Sequence, residues 1–439
     1  MGYSTNRPFV KVDVTGEVDK RFGEVTSQLA ENANLSRRTA FNNGVTATDT
    51  RLKNNKRKML SHLNGSVIAT STDVVVTNTE PNKMIIQTPG AGGYTVRFNA
   101  TREAGESLLN YVDLVISALD WSKITSITLK LVLDKTDTNS YYSILMSGTN
   151  APLIKDSIPS KQKSLFRFPK TAFVKTGTPA YFGLNSNSEI SLLVGTLEPT
   201  TITLHDGVLA SEPNAPTMIM FDDGLKEVYD YAFPLMQARG IVGTFFVITN
   251  SVGADTHCTW EQLQEMQEAG WTIANHSSDH SNLMNVTLDE AITAVEEGAG
   301  ELTKRGFRGA NILAAPFNAL DSTRNDYVTH VAKSLRLGAD GSLNYNNPLF
   351  VVTYPAIVRA RSVENTDTPN YVFTNDYQAK KAVGYLQAIN YHRIDPVGAG
   401  QYDYSADNFE ATLDLLIGDN ATFINYEEYL NAYLENWEN

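Results

Sequence analysis

The sequence predicts a multidomain protein: an N-terminal helical, coiled-coil segment, then an all-β sandwich of jelly-roll type, then a distorted (β/α) barrel. The chain has 439 residues, enough for two to four domains of about 100–200 residues each. Hydrophobic residues make up 42% of it, which is sufficient for several cores. Its charge balance changes twice: residues 1–62 carry 11 basic and 6 acidic side chains, residues 63–213 carry 12 and 13, and residues 214–439 carry 13 and 30.

The N-terminal segment, residues 1–62, contains two short helical patterns. Four apolar residues follow the 4-3-4 spacing of a coiled-coil seam: Val18, Phe22, Val25 and Leu29. Three more repeat every seven residues: Val45, Leu52 and Met59. Because two interrupted patterns bury too little surface for an independent domain, we expect an oligomerisation or docking segment. The alternative is a helical arm folded back on the chain, and the basic run over residues 51–58 is expected to be a solvated helix face.

Residues 63–213 consist of short alternating segments rich in β-branched residues. Examples are residues 73–77, 94–98, 124–133 and 190–194. This pattern, with turn signals and few helical stretches, favours an antiparallel sandwich or jelly roll. A carbohydrate-binding module is one interpretation, and its sugar platform would come from four aromatic residues: Trp121, Tyr141, Tyr142 and Tyr181. The alternative, which we favour, is that these side chains fill the sandwich core.

Residues 214–439 alternate between apolar runs and helical patterns. The apolar runs cover residues 217–221, 243–248, 311–317 and 349–353. The helical patterns cover residues 225–239, 259–269 and 288–304. Repeated βα units predict a parallel sheet that closes into a barrel, and barrel enzymes place their chemistry after the strand ends.

Four motifs follow predicted strands. Asp222 and Asp223 come directly after the first apolar run, and His276 and His280 follow a later one with a spacing of four. Pro316-Phe317 and a run ending on His392 complete the set: Ala388-Ile389-Asn390-Tyr391-His392. Each motif alone has an ordinary explanation, since Asp-Asp-Gly also builds turns and lone histidines are often structural. Together, at the mouth of one barrel, they indicate a metal site with two proton-transfer groups.

In this order the motifs Phe-Asp-Asp-Gly, His-x-x-x-His, Pro-Phe and apolar-x-x-His resemble the polysaccharide deacetylase family. This family shares the nodulation-protein-B (NodB) homology domain and is also known as carbohydrate esterase family four. The resemblance covers residues 214–439 and implies a hydrolase that cleaves N-acetyl amide or O-acetyl ester bonds of a polysaccharide. It also implies one divalent metal ion, zinc by preference with cobalt, nickel or manganese as alternatives. Its ligands would be Asp223, His276 and His280.

The resemblance further implies the roles of three other residues. Asp222 would be the general base that takes a proton from the attacking water. His392 would be the general acid that protonates the leaving amine or alcohol. The backbone N–H of Phe317 would donate a hydrogen bond to the oxyanion.

The chain departs from the family pattern at the residue that orients the catalytic aspartate. Many members carry an arginine two residues before the proline of the third motif, where this chain has Ala314. We expect Arg361 to reach in from a later strand and orient Asp222 instead, with Arg359 as the competing candidate.

Two further positions differ or stay open. Asn318 stands where glycine is usual, and asparagine tolerates a positive φ better than most residues. The carboxylate that supports His392 is either Asp395 or Asp403, with nothing in the sequence to choose between them.

The acidic barrel excludes a nucleic-acid partner, because phosphate binding needs a basic surface. No apolar run reaches about 18 residues, so membrane insertion is not expected. The start of the chain, residues 1–6, lacks the profile of a secretion signal. The single cysteine, Cys258, excludes an internal disulfide framework.

Coiled-coil patterns followed by a sandwich and an enzyme domain are similar to the organisation of phage tail and baseplate proteins. This similarity predicts a virion (tail) protein, or one otherwise acting outside the cell, that processes an acetylated cell-wall or capsular polysaccharide. Its N-terminal segment would form a homo-oligomer, preferably a trimer, or bind other tail proteins. One alternative is a structural, adhesive virion component whose barrel only binds sugar. Another is an amide hydrolase for small cyclic imides, which would not need the neighbouring sandwich.

Overall fold

The computed structural model describes residues 56–61, 67–80, 83–99, 111–147, 164–179, 187–212, 216–320, 332–338, 352–353, 357–382 and 386–434. Within these ranges the chain forms antiparallel sheets up to residue 212 and a closed parallel barrel from residue 217 onward.

The first half of the chain contains two antiparallel sheets. Their strands are β1 Lys56–Ser61, β2 Val67–Thr70, β3 Val75–Glu80, β4 Lys83–Thr88, β5 Gly92–Asn99, β6 Tyr111–Ala118, β7 Ile124–Val132, β8 Tyr141–Ser147, β9 Ser164–Pro169, β10 Val174–Thr176, β11 Glu189–Thr196 and β12 Thr200–Glu212. One sheet has the order β9-β6-β12-β4-β3, with β1 also paired to β12. The other has the order β10-β8-β7-β11-β5-β2. Short 3₁₀ turns lie at Trp121–Lys123 and Lys170–Ala172.

The two sheets share one hydrophobic core. Along β7, Leu129 and Leu131 are buried while Lys130 between them is partly exposed, which is the alternation expected of a sheet with one covered face. The inward residues of both sheets form a single cluster that includes Phe98 and Phe166. The antiparallel sheets predicted for this region are therefore present, and the jelly-roll connection stays a prediction.

The aromatic residues weighed as a sugar platform have different surroundings. Trp121 is 1% exposed and packs against Phe166 at 6.1 Å between ring centroids, so it belongs to the core. Tyr142 is partly buried against the same core. The ring of Tyr141 lies under the Lys130 ammonium at 4.3 Å, and Tyr181 lies outside the described residues.

The helix expected over residues 1–62 is wrong for residues 56–61, which form β1. This strand pairs antiparallel with residues 208–212 of β12. On the same edge of β12, β4 pairs only with residues 200–204, so the second half of the strand has backbone groups that need another partner. Strand β1 supplies it. Residues 1–55, which hold the coiled-coil seam, lie outside the described residues.

The barrel is built from seven parallel strands in one closed ring. They are β13 Thr217–Phe221, β14 Thr244–Val247, β15 Thr272–Asn275, β16 Gly309–Ala314, β17 Ser334–Gly338, β19 Ile357–Ser362 and β20 Gln387–Tyr391. Strand β20 pairs with β13 and closes the ring. The predicted parallel barrel is therefore confirmed.

One predicted barrel strand is misplaced. The apolar run over residues 349–353 contains β18, Val352–Thr353, which pairs antiparallel with β9 of the sandwich sheet. The barrel instead uses β17, which the apolar pattern missed because it contains Arg336. It also uses β19, the later strand on which Arg359 and Arg361 lie.

Helices connect and cover the barrel strands. A π-helical segment at Val228–Ala232 leads into α1 Phe233–Ala238, followed by α2 Trp260–Glu268, α3 Leu288–Lys304, α4 Pro369–Tyr371, a second π-helical segment at Val372–Gln378, α5 Ala379–Ala382, α6 Ala406–Gly418 and α7 Tyr426–Leu434. Short 3₁₀ turns lie at Thr249–Ser251 and Pro316–Asn318, and β21 Arg393–Asp395 pairs with β22 Asp403–Ser405. In the part of the chain that the structure describes, no helix has the length and apolar character needed to cross a bilayer.

Capping fixes where the two helices next to β15 begin. Thr259 precedes α2 and Thr287 precedes α3, and each hydroxyl accepts a hydrogen bond from the backbone N–H three residues later. Gln262 and Glu290 bond back to the cap residues and complete two capping boxes.

An aromatic cluster holds the ends of β13 and β20 against the helices. Phe221 stacks on Trp271 and Tyr391, with ring centroids 5.5 and 5.8 Å apart, and meets Phe409 of α6 edge-on. Phe221 and Tyr391 are the last residues of their strands. Their packing therefore fixes the direction in which the next residues, Asp222 and His392, leave the barrel.

The loop after β15 is anchored on α3 by Asn275. Its Nδ2 donates to the carbonyl of Val295, and its Oδ1 accepts from the N–H of Ser277, both at 2.9 Å. Gly298 allows this close approach, since a Cβ there would lie 2.3 Å from Asn275 Oδ1. The loop that carries His276 thus depends on a glycine in the neighbouring helix.

We expect Gly298→Ala to lower the free energy of unfolding by about 1–3 kcal/mol, because the added methyl group must displace Asn275. Gly300→Ala in the same helix is the matched control. A Cβ at Gly300 meets no atom within 4 Å, so this change should raise the free energy of unfolding by about 0.5–1 kcal/mol. Urea unfolding of both variants checks the difference. Equal stabilities would contradict the close contact at Asn275.

Candidate active site

Polar side chains gather where the barrel strands end. Asp222 and Asp223 follow β13, His276 follows β15, and His392 follows β20. Since all strands are parallel, these residues lie at the same mouth of the barrel. Phe317 joins them from the 3₁₀ turn after β16.

Asp223 faces two imidazoles. Its Oδ1 lies 3.4 Å from His276 Nε2 and 3.4 Å from His280 Nε2, and the three ligand atoms all lie within 4.8 Å of one another. The backbone is left-handed at Asp223, Ser277 and His280, with φ of 70°, 64° and 59°. Such conformations are uncommon outside glycine, and here they occur at or next to the three residues whose side chains converge on one point: Asp223, His276 and His280.

The three residues fit a divalent metal ion. Two ligand atoms, each about 2.1 Å from a tetrahedral zinc, would be about 3.4 Å apart, which matches both contacts of Asp223. His276 Nδ1 lies 2.9 Å from the carbonyl of Ala314 and must donate to it, which leaves Nε2 free as a ligand. Asp223 Oδ1 is buried and has no hydrogen-bond partner among the residues described. These are the features of a preformed ligand set.

The electrostatics suit the same ligand set. Burial alone would raise the pKa of Asp223, but the neighbouring His276, together with His392 and His280, lowers it well below its usual range. Burial and the neighbouring His276 lower the pKa of His280. A carboxylate and neutral imidazoles are the protonation states in which these groups bind metal.

Asp222 has different partners from its neighbour. It is 2% exposed, and its Oδ2 accepts hydrogen bonds from Arg336 Nη2 and from Asn390 Nδ2, the latter at 3.0 Å. His392 Nε2 lies 3.5 Å from the same oxygen. Burial would raise the pKa of Asp222, but the Arg336 guanidinium, aided by His276 and His392, lowers it. The buried carboxyl group is therefore ionised.

The expectation that Arg361 orients Asp222 is wrong. Arg361 Nη1 and Nη2 bond to Asp367 and Asp376, each at 2.6 Å, in the segment that follows β19. The competing candidate, Arg359, donates to the carbonyl of Gly338 at 3.2 Å. Side chains alternate along a strand, so Arg359 and Arg361 lie on the same side of β19.

Arg336 of β17 is the orienting residue that sequence reasoning missed. It is 1% exposed and lies over the ring of Phe246, 5.4 Å from the ring centroid. The signal in the sequence is a lone arginine in the apolar strand Ser334-Leu335-Arg336-Leu337-Gly338. A charge at such a position must be paired, since an isolated buried charge is very costly.

Asn318 connects Arg336 to the turn that carries Phe317. Its Oδ1 accepts from Arg336 Nη1 at 2.9 Å. Phe317 and Asn318 both have φ of 55°, so the departure from glycine is accommodated in a left-handed turn. Gly338 makes room for the asparagine, since a Cβ there would lie 2.2 Å from Asn318 Nδ2.

Phe317 lies beside the metal ligands. The residue is 62% exposed, and its ring centroid lies 4.7 Å from that of His280. Its backbone N–H makes no hydrogen bond to any residue that the structure describes. This N–H can therefore serve a substrate oxygen.

Neither carboxylate considered for His392 supports it. Asp395 accepts from the N–H groups of Val397 and Gly398, at 2.8 and 2.6 Å. Asp403 accepts from the N–H of Gly400 at 2.8 Å. Both acids build a turn instead, and His392 Nδ1 is buried without a hydrogen-bond partner in the described part of the chain.

Comparison with known families identifies part of this barrel. The family model described as polysaccharide deacetylase matches residues 211–338. That segment contains Asp222, Asp223, His276, His280 and Phe317.

Individual relatives match a part of the chain of similar length. The chain is 28% identical over 138 residues to YxkH of Bacillus subtilis (strain 168), named as a proposed polysaccharide deacetylase; the match covers 27% of this chain and 50% of YxkH. It is 26% identical over 126 residues to the poly-β-1,6-N-acetyl-D-glucosamine N-deacetylase of Staphylococcus epidermidis (strain ATCC 35984), covering 26% of this chain and 44% of that protein. The chain thus spans about half the length of these curated relatives.

Among solved structures, IcaB from Ammonifex degensii is 24% identical, with a TM-score of 0.26, over 27% of this chain and 58% of that one. Residues 211–338 are thus similar to the polysaccharide deacetylase family.

Proposed function

We propose that the barrel is a metal-dependent deacetylase that hydrolyses acetyl groups of a cell-envelope polysaccharide. The observation that carries this proposal is that two adjacent carboxylates have different partners. Asp223 faces two imidazoles, whereas Asp222 is bonded to Arg336 and Asn390. One acid is arranged as a ligand and the other as a base.

The metal would be held by Asp223, His276 and His280, with zinc as the first choice. When bound, a divalent ion supplies Lewis-acid polarisation of the acetyl carbonyl and makes water a better nucleophile at neutral pH. One carboxylate and two neutral imidazoles leave a net positive centre with room for substrate.

Asp222 is the general base. Arg336 and Asn390 hold its Oδ2, whereas its Oδ1 is buried and has no hydrogen-bond partner among the described residues. The free oxygen is therefore the one that accepts a proton from the attacking water. The ion pair keeps the carboxyl group ionised, which a base requires.

Phe317 and His392 complete the reaction. The unbonded N–H of Phe317 donates to the oxygen of the tetrahedral intermediate, where negative charge develops. His392, 3.5 Å from Asp222, then donates a proton to the leaving nitrogen or oxygen.

The substrate is proposed from the relatives and from charge. One relative is named for deacetylating poly-β-1,6-N-acetyl-D-glucosamine, a neutral polymer. The barrel region carries 30 acidic and 13 basic side chains, which disfavours polyanions and suits neutral chains that gain positive charge as acetyl groups leave.

A role on a phage tail, with the N-terminal segment forming a trimer or binding tail proteins, rests on the domain order. The sandwich as a polysaccharide-binding neighbour belongs to the same proposal.

The metal site predicts a specific loss of binding. The wild-type protein should bind one zinc ion per chain, and His276→Ala should weaken binding at least about 100-fold because a ligand is removed. His257→Ala is the control, since His257 bonds to Thr256 and is not among the three ligands. Isothermal titration with zinc measures both. Equal affinities of wild type and His276→Ala would exclude this site.

Asp222→Asn tests the base. The variant should fold and bind zinc but release acetate about 10²- to 10⁴-fold more slowly, because the amide cannot accept the proton. The measurement is acetate release from a panel of N- and O-acetylated polymers, with zinc and with chelator. Retained activity would refute the mechanism. A wild-type protein that binds polymers but releases no acetate would favour the adhesive alternative.

Arg336→Lys and Arg361→Lys distinguish the observed orienting residue from the expected one. Lysine keeps the charge but loses the planar fork that joins Asp222 to Asn318, so kcat should fall about 10- to 100-fold in Arg336→Lys. In Arg361→Lys it should stay within about threefold, because that fork bonds only Asp367 and Asp376 among the acids described. Steady-state kinetics on the best polymer decides. The reverse order would restore Arg361 as the orienting residue.

A further inference from the structure

A small parallel sheet follows β20 and places a tyrosine beside His392. In this sheet β21 pairs with β22 in the register Arg393↔Asp403, Ile394↔Tyr404 and Asp395↔Ser405. One step earlier in the same register sets His392 opposite Tyr402. Their ring centroids are 5.0 Å apart, with planes inclined by 34°.

The connection between β21 and β22 is a tightly bonded turn. Asp395 and Asp403 each accept backbone N–H groups from within it. Gly398 has φ of 67°, and a Cβ there would lie 2.7 Å from the backbone nitrogen of Ser405. The turn is thus stabilised by hydrogen bonds to Asp395 and Asp403, and its backbone conformation favours glycine at position 398.

A second loop holds the turn from outside. Asn365 donates its backbone N–H to the carbonyl of Gln401 at 2.9 Å, and its Nδ2 to the carbonyl of Ala399 at 3.1 Å. Gln401 Nε2 donates to Glu364 at 3.2 Å. The backbone on either side of Tyr402 is therefore held by hydrogen bonds, although the residue itself is 44% exposed.

His392 lacks the polar support that a proton donor usually has. Its Nδ1 is buried and unbonded within the described residues, and both nearby carboxylates are committed to the turn. Its Nε2 faces Asp222 at 3.5 Å, which is too long for a good hydrogen bond. The Tyr402 ring is the group packed against the imidazole on the turn side.

We propose that Tyr402 is a positioning residue, whose ring takes the place of a supporting carboxylate and holds His392 in the orientation from which it protonates the leaving group. The proposal rests on the proposed deacetylase function. Protonation needs the donor within hydrogen-bond reach of the leaving atom, and a displacement of about 1 Å costs about 100-fold in rate. The two acids thus act on His392 indirectly, by building the turn that carries Tyr402.

The test uses the zinc-loaded full chain with Tyr402→Ala, Tyr402→Phe and Val397→Ala. Val397 lies in the same turn and is 75% exposed, so its variant controls for changes in the turn. Each protein is assayed on an N-acetylated polymer and on 4-nitrophenyl acetate. The amine of the polymer leaves only when protonated, whereas 4-nitrophenolate leaves without a proton.

On the polymer, kcat should fall about 10- to 100-fold in Tyr402→Ala with KM within about twofold, and should stay within about threefold in Tyr402→Phe and Val397→Ala. On 4-nitrophenyl acetate all four proteins should agree within about threefold. An equal loss on both substrates would mean that Tyr402 is merely structural, and full polymer activity in Tyr402→Ala would overturn the proposal. If Tyr402→Phe is as slow as Tyr402→Ala, the hydroxyl rather than the ring is responsible, which also overturns it.

An independent readout separates this inference from the proposed function. The NMR signals of the His392 ring protons should shift in Tyr402→Ala and not in Val397→Ala, because the ring current of Tyr402 is lost. Unchanged signals would disprove the packing. A wild-type protein that releases no acetate from any polymer would instead refute the deacetylase function, and the positioning role with it.

Discussion

The buried ion pair between Arg336 and Asp222 is the interaction on which the rest of the site depends. A carboxyl group this deeply buried would be neutral without a cation beside it, and a neutral acid cannot act as a base. The second arm of the same guanidinium holds Asn318, and with it the left-handed turn that presents the Phe317 N–H. One side chain therefore supports both the proposed base and the proposed oxyanion donor.

The geometry around this ion pair separates two acids that are neighbours in the chain. Asp222 is buried, while Asp223, whose backbone is left-handed, has its side chain beside His276 and His280. Different partners then set different roles for chemically identical groups. The aromatic packing of Phe221 on Trp271 and Tyr391 keeps this arrangement in register, because the strand end cannot shift without opening the core.

The errors of sequence reasoning have a common cause. Arg336 interrupts the apolar pattern of β17, so the sequence does not predict this strand, and the apolar run at 349–353 predicts a barrel strand where none forms. With β17 missing, Arg336 could not be considered, and Arg361 took its place. Similarly, Met59 belongs to the seven-residue repeat that predicts a helix, but its segment, Lys56–Ser61, pairs with a part of β12 that β4 leaves uncovered. Local patterns do not reveal which backbone edges need a partner.

By itself the sequence determined the barrel class and the motif residues Asp222, Asp223, His276, His280, Phe317 and His392, because each follows a strand and parallel strands end at one mouth. Only the tertiary structure decided which side chains hold them. Arg336 is 114 residues from Asp222, and Tyr402 reaches His392 through a turn built by the acids expected to bond it. The reason is physical, because a buried charge or an unsupported imidazole requires a partner. Which residue becomes that partner depends on how the barrel closes and on which side of each strand a side chain lies.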